Sequence, residues 1–90
     1  VKGGILSFSH ALARAVAPKL RVNVLAPGWI ETEFAATTMD PAYYRDVIES
    51  TPLKRWGTPE DVARAAIFLA SPGSSFLTGQ MLMIGGGVVT

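Results

Sequence analysis

The sequence has no cysteine, so disulfides and thiolate metal sites are excluded. Its single histidine, His10, is too little for a histidine metal centre, and no metal is expected. Charge of one sign is also missing. Eight basic residues against seven acidic ones leave a net charge of +1, and the Lys and Arg side chains are scattered without forming a stripe. That pattern argues against nucleic acid and against electrostatic docking to a membrane surface. No apolar run reaches the roughly 18 residues of a membrane-spanning helix. No secretory leader pattern is visible. A cytoplasmic protein is the expectation.

Apolar residues, by contrast, are abundant at 49%, the upper end of the globular range. Ninety residues have room for one small domain. The chain begins with Val1, and Lys2 arrives before any turn or cap. This reads as a segment from inside a larger protein, with apolar surface meant for a part not contained in residues 1–90.

The stretch Arg21–Thr32, RVNVLAPGWIET, organises the rest. Val22, Val24 and Leu25 make a short, partly β-branched run, so a strand is expected over Arg21–Leu25. Its near-continuous apolar character suits a parallel sheet covered on both faces. Asn23 needs partners there, and the backbone of a neighbouring strand would supply them. Pro27-Gly28 should stop the strand. A loop then delivers Trp29, Ile30 and Thr32 to one place, just outside a strand's carboxyl end, where open α/β sheets hold ligands.

Before this stretch, Gly3–Pro18 reads as a helix. Ile5, Phe8, Leu12 and Val16 form one apolar face, and Leu6, Ala13 and Ala17 a second, smaller one. Such a helix is expected to be sandwiched. Its His10 is read as packed or partly exposed rather than catalytic. Beyond the stretch, Glu33–Met39 has no period and reads either as a mobile lid over a ligand site or as an ordinary surface loop. Asp40-Pro41 starts a short helix over Ala42–Ser50, with Arg45 and Glu49 spaced for an i, i+4 pair. Thr58-Pro59-Glu60-Asp61 is the clearest helix start. Val62, Ala65, Ala66, Leu69 and Ala70 should form its buried face, widened by Ile67 and Phe68. Met81–Ile84 is a second short strand, closed by Gly85-Gly86-Gly87, whose glycines permit close backbone approach. No helix opens after these glycines, so they make a poor phosphate cradle. Strand, helix, strand is a βαβ unit, which requires the two strands to be parallel.

Four blocks carry a family resemblance. RVNVLAPGWIET resembles the stretch after the sixth strand of classical short-chain dehydrogenases/reductases, with its Pro-Gly-x-Ile-x-Thr pattern. PLKRWGTPEDVARAAIFLAS resembles that family's Arg-x-Gly-x-Pro-Glu-Asp-Val-Ala helix, and FLTGQMLMIGGG its Thr-Gly-Gln strand. VKGGILSFSHALA resembles the helix of the Tyr-x-x-x-Lys catalytic pair. Together the blocks cover essentially the whole chain. The nearest type is the 3-oxoacyl-carrier-protein reductase and glucose dehydrogenase type. One departure stands out: Gly85 occupies a position where the family usually has Asp.

The resemblance implies an α/β fold, the C-terminal part of a Rossmann-type doubly wound parallel sheet, with the Gly-rich dinucleotide fingerprint and the catalytic Ser and Tyr in an N-terminal part absent from residues 1–90. It implies NAD or NADP as cofactor and hydride transfer to or from a small carbonyl or alcohol substrate. Lys2 would be the catalytic lysine, lowering the pKa of the Tyr four residues earlier and bonding the nicotinamide ribose. Ile30 would meet the nicotinamide carboxamide through its backbone. Thr32 would add its hydroxyl, and Pro27 and Gly28 would let the chain pass beneath the ring. Trp29 and Phe34 are candidates for the substrate pocket. A homo-oligomer, dimer or tetramer, is implied for the full-length form. Two other readings stand beside this one: a truncated, non-catalytic fragment serving only as an assembly or dimerisation module, and an unrelated α/β nucleotide binder.

Overall fold

A computed structural model describes residues 2–88; the side chains of Lys2 and Ala36 lie outside the described residues. The element order is α1 (Lys2–Val16), β1 (Val24–Pro27), α2 (Glu33–Thr38), α3 (Pro41–Ser50), α4 (Pro59–Ala70), a 3-10 turn (Pro72–Ser74) and β2 (Met81–Ile84). The two strands pair in parallel with Val24 opposite Met81 and Pro27 opposite Ile84. The βαβ expectation and the bounds of β2 are thus borne out.

β1 corrects the sequence reading. It starts at Val24 rather than Arg21 and includes Pro27 as its last residue. Pairing begins only where the Val24 N–H meets Gln80 O at 2.8 Å. Ahead of it one further backbone bond, from Gly79 N to Val22 O at 2.6 Å, is joined by side-chain bonds. Asn23 Nδ2 donates to Leu77 O at 3.0 Å, and Asn23 Oδ1 accepts from Gln80 N at 3.1 Å. Asn23 therefore does reach neighbouring backbone, but ahead of the sheet rather than within it.

The local start signals hold. Thr58 and Asp61 form a complete capping box on α4, and Asp40 accepts from Ala42 N at the head of α3. Thr58→Ala should cost about 1 kcal/mol, read as a lower urea midpoint. Two further readings are corrected. Glu33–Met39 is not an irregular loop; it contains α2, capped by Thr32. Arg45 and Glu49 do not pair, since the one ion pair among the described residues is Arg55–Asp61. An Arg preceding its acid on a helix is the weaker orientation, working against the macrodipole.

Burial is sparse. Ala13, Ala26, Val47 and Trp56 are the buried apolar residues among those described. On α1 the small face packs, through Ala13 and Ser9, while Phe8 is 68% exposed and Ile5 and Leu12 are open. The helix is thus covered on one face, not sandwiched. On α4, Val62, Ala65 and Leu69 are half-buried, whereas Ala66, Ile67, Phe68 and Ala70 are exposed. The radius of gyration is 15.5 Å, against about 12 Å for a compact 90-residue domain. A two-stranded sheet cannot cover these faces by itself.

Candidate active site

Both strands end at the same level, and the site is built on their carboxyl ends. Gly28 N–H donates to Ile84 O at 2.9 Å, which extends the ladder by one bond beyond Pro27. The two backbones are close here. A Cβ on Gly28 would lie 3.0 Å from Gly85 Cα and 3.5 Å from Ile84 O. These are backbone atoms that cannot swing aside. Gly28→Ala is therefore expected to cost about 1–2 kcal/mol, measured by urea unfolding.

The chain next runs beside the segment that precedes α4. Gly57 N–H donates to Trp29 O at 2.9 Å, and Glu31 N–H donates to Gly57 O at 2.8 Å. This is a one-residue parallel bridge between Ile30 and Gly57. It uses the groups on either side of Ile30. Ile30's own N–H and C=O point the opposite way and bond no described residue. One donor and one acceptor are thus presented side by side at fixed spacing on a clamped backbone. The fit at Gly57 is close: a Cβ there would stand 2.6 Å from Ile30 Cδ1, so that the Ile30 side chain would have to turn aside.

Thr32 follows as the N-cap of α2, its Oγ1 accepting from Ala35 N at 3.1 Å. Its hydroxyl proton remains available to a ligand. Trp29 lies in an aromatic cluster, edge-on to Tyr43 at 5.9 Å and to Trp56 at 5.8 Å. Phe34 does not join it and is 76% exposed on α2. A cleft of about 230 Å³ opens between Trp29, Arg55, Gly57, Asp61, Gly85 and Gly86. Lys2, whose side chain lies outside the described residues, opens α1.

Electrostatically, the site edge is pinned by Asp61. It accepts from Arg55 Nη1 at 2.8 Å and from Thr58 N at 2.8 Å. The guanidinium bond first, and the Thr58 backbone next, hold its carboxyl well below the usual carboxylate range. The stabilisation from this lowered value is complete above the unfolded value of about 3.9 and is lost as pH falls through the folded one. Asp61→Asn should therefore flatten the acid side of a melting-temperature profile between about pH 6 and pH 2. Tyr44 is shifted upward, by burial first and then by the Glu31 carboxylate beside it.

Sequence reasoning missed Trp56, Gly57 and Tyr44. A Trp-Gly pair immediately before a helix cap was the available signal. At Gly85, the place a Cβ would take lies 2.8 Å from Val88 O, and Val88 N–H donates back to Gly85 O at 3.1 Å. A tight turn stands where the family's Asp side chain would begin.

The family model described as Enoyl-(Acyl carrier protein) reductase matches residues 1–89. The chain belongs to the short-chain dehydrogenase/reductase family. Among solved members it resembles a short-chain dehydrogenase/reductase of the glucose/ribitol dehydrogenase type from Brucella melitensis, with TM-score 0.88 and 39% identity over 99% of this chain and 36% of that one. It also resembles a gluconate 5-dehydrogenase from Burkholderia cenocepacia, solved with NADP and tartrate, with TM-score 0.83 and 38% identity over 96% of this chain and 34% of that one. A 3-oxoacyl-acyl-carrier-protein reductase from Chlamydia pneumoniae is 49% identical over 88 residues, 97% of this chain. The chain spans 35% of that relative's length. Membership of this family agrees with the partial Rossmann-type α/β architecture. No helix among the described residues is long and apolar enough to cross a membrane.

Proposed function

We propose that this chain forms the C-terminal part of an NAD(P)(H)-dependent oxidoreductase that moves a hydride between the nicotinamide and a carbonyl or alcohol carbon of a small molecule. The observation that carries the reading is the free N–H and C=O of Ile30, held outward by the bridge to Gly57. A planar carboxamide offers one acceptor and one donor, and it is matched by one outward donor and acceptor on a fixed backbone. The bound nicotinamide would supply the hydride chemistry.

The chain's own residues have supporting tasks. Ile30 orients the carboxamide. Pro27 and Gly28 keep the backbone flat beneath the ring, and the Thr32 hydroxyl has a proton left to donate after accepting from Ala35. Trp29 and Phe34 line the substrate side. Lys2 is the catalytic lysine of this reading: its ammonium favours the phenolate of the family's tyrosine. A cytoplasmic, homo-oligomeric enzyme goes with the assignment, and the open apolar face of α1 supports a packing partner. That same face favours the second reading, a non-catalytic assembly module.

A hybrid enzyme decides between them. The matching 88 residues of the Chlamydia pneumoniae reductase are replaced by this chain, and NADPH oxidation is followed with a 3-oxoacyl thioester. Turnover is expected. A folded hybrid without turnover would leave only the assembly role. The isolated chain should show no saturable NADPH response in Trp29 and Trp56 fluorescence, because it contributes only one side of the nucleotide site.

A further inference from the structure

We propose that Trp56 is a positioning residue that ties α3, which packs through Tyr43 on the substrate-pocket candidate Trp29, to the Ile30 peptide on the cofactor side. The inference deepens the function proposed above and rests on it. Trp56 is 5% exposed and touches both partners at once. Its Nε1–H donates to Tyr44 O, in α3, at 3.1 Å. Its ring stacks on Tyr44 at 5.0 Å and 19°. On its other side it meets Trp29 edge-on at 5.8 Å. The next residue, Gly57, holds Ile30 through the bonds to Trp29 O and Glu31 N.

One peptide therefore separates the indole gripping α3 from the glycine gripping Ile30. A displacement of α3 must break the Nε1–H bond and the ring stack, or carry the Trp56-Gly57 peptide with it. In the second case the outward N–H and C=O of Ile30 move too. Tyr43, one residue before Tyr44, lies edge-on to Trp29 at 5.9 Å. Helix α3 and the carboxamide-facing peptide thus form one packed unit. Order gained at either side is passed to the other, and the effect is reciprocal in binding.

Hydrogen exchange in the hybrid tests this with Trp56→Phe, which keeps an aromatic ring for stacking and removes the donor, and Trp56→Leu, which removes both. In the nucleotide-free protein, Trp56→Phe should speed exchange of the α3 amides and of the Glu31 and Gly57 amides together, by roughly five-fold, the worth of one hydrogen bond. Trp56→Leu should do so more strongly. Faster exchange in α3 with Glu31 and Gly57 unchanged would overturn the link. In a second arm, NADPH added to the wild-type hybrid should slow exchange in α3, and Trp56→Phe should lose that remote effect while keeping protection at Glu31 and Gly57. Retention of the remote effect in Trp56→Phe would also overturn it. The first arm needs no nucleotide. It therefore reads the link even if the hybrid proves inactive, and the two proposals fail separately.

Discussion

Lys2→Met in the hybrid reductase is expected to lower kcat by roughly 10²- to 10⁴-fold, the range of general acid–base assistance. The reasoning is electrostatic. A positive charge beside a phenol favours the phenolate and lowers its pKa. Removing that charge lets the tyrosine return toward its ordinary value of about 10. The sign follows directly: the alcohol-oxidising direction needs the phenolate, so its rate should rise at higher pH in the variant than in the wild type. The compact ammonium also has three donors, and the ribose would lose one of them, so KM for the nucleotide should rise as well. Lys2→Arg keeps the charge in a larger, planar group and should recover the pH profile better than the KM. Rates measured across pH 6–10 in both directions check this. A kcat within about three-fold of wild type, with an unmoved pH profile, would remove Lys2 from the chemistry.

Which parts of the fold were legible follows from where their determinants lie. Thr58-Pro59 and Asp40-Pro41 were readable because a cap and the N–H it accepts from are two or three residues apart. β2 was readable because Gly85-Gly86-Gly87 bounds it, with Gly86 and Gly87 at positive φ. β1 was misplaced by two to three residues because its start is set by Gln80, more than fifty positions away. The periodicity of α1 showed two apolar faces but could not say which meets Thr78–Gln80. The small one does: Ala13 is buried, and its Cβ faces Gly79 at a distance where even an added methyl would make ordinary contact, 3.6 Å. α2 was hidden because its six residues have no period, which leaves the Thr32 cap as its one local signal. The site divides the same way. Pro27, Gly28, Ile30 and Thr32 were legible as one local run. Trp56 and Gly57, which fix the orientation of that run, reach it only through tertiary contact.

The largest stability effect is expected at Arg21, which the sequence pattern reads as the first residue of a strand and the structure places ahead of β1. Its Nη1 donates to Ser74 O at 2.8 Å, Ser74 Oγ at 3.1 Å and Leu77 O at 3.2 Å, and its Nη2 to Leu69 O at 3.0 Å. The guanidinium therefore caps the last turn of α4 and the 3-10 turn together, where carbonyls lack helical partners. Each of the three carbonyl acceptors has a second donor: Ser74 Oγ–H serves Leu69 O, Leu77 N serves Ser74 O, and Asn23 Nδ2 serves Leu77 O. Removing Arg21 thus deletes a charged donor without orphaning a carbonyl. Arg21→Met should cost on the order of 2–3 kcal/mol, the range for hydrogen bonds to a charged group. Arg21→Lys should recover less than half, because one ammonium cannot span Leu69 O and Leu77 O as the planar fork does. The check is the urea midpoint of the hybrid at unchanged m-value. Arg21 lies ahead of β1 and the site lies beyond its end, so kcat/KM at low temperature should be unaffected. A loss of activity without loss of stability would mean that Arg21 acts on the site rather than on the frame that supports it.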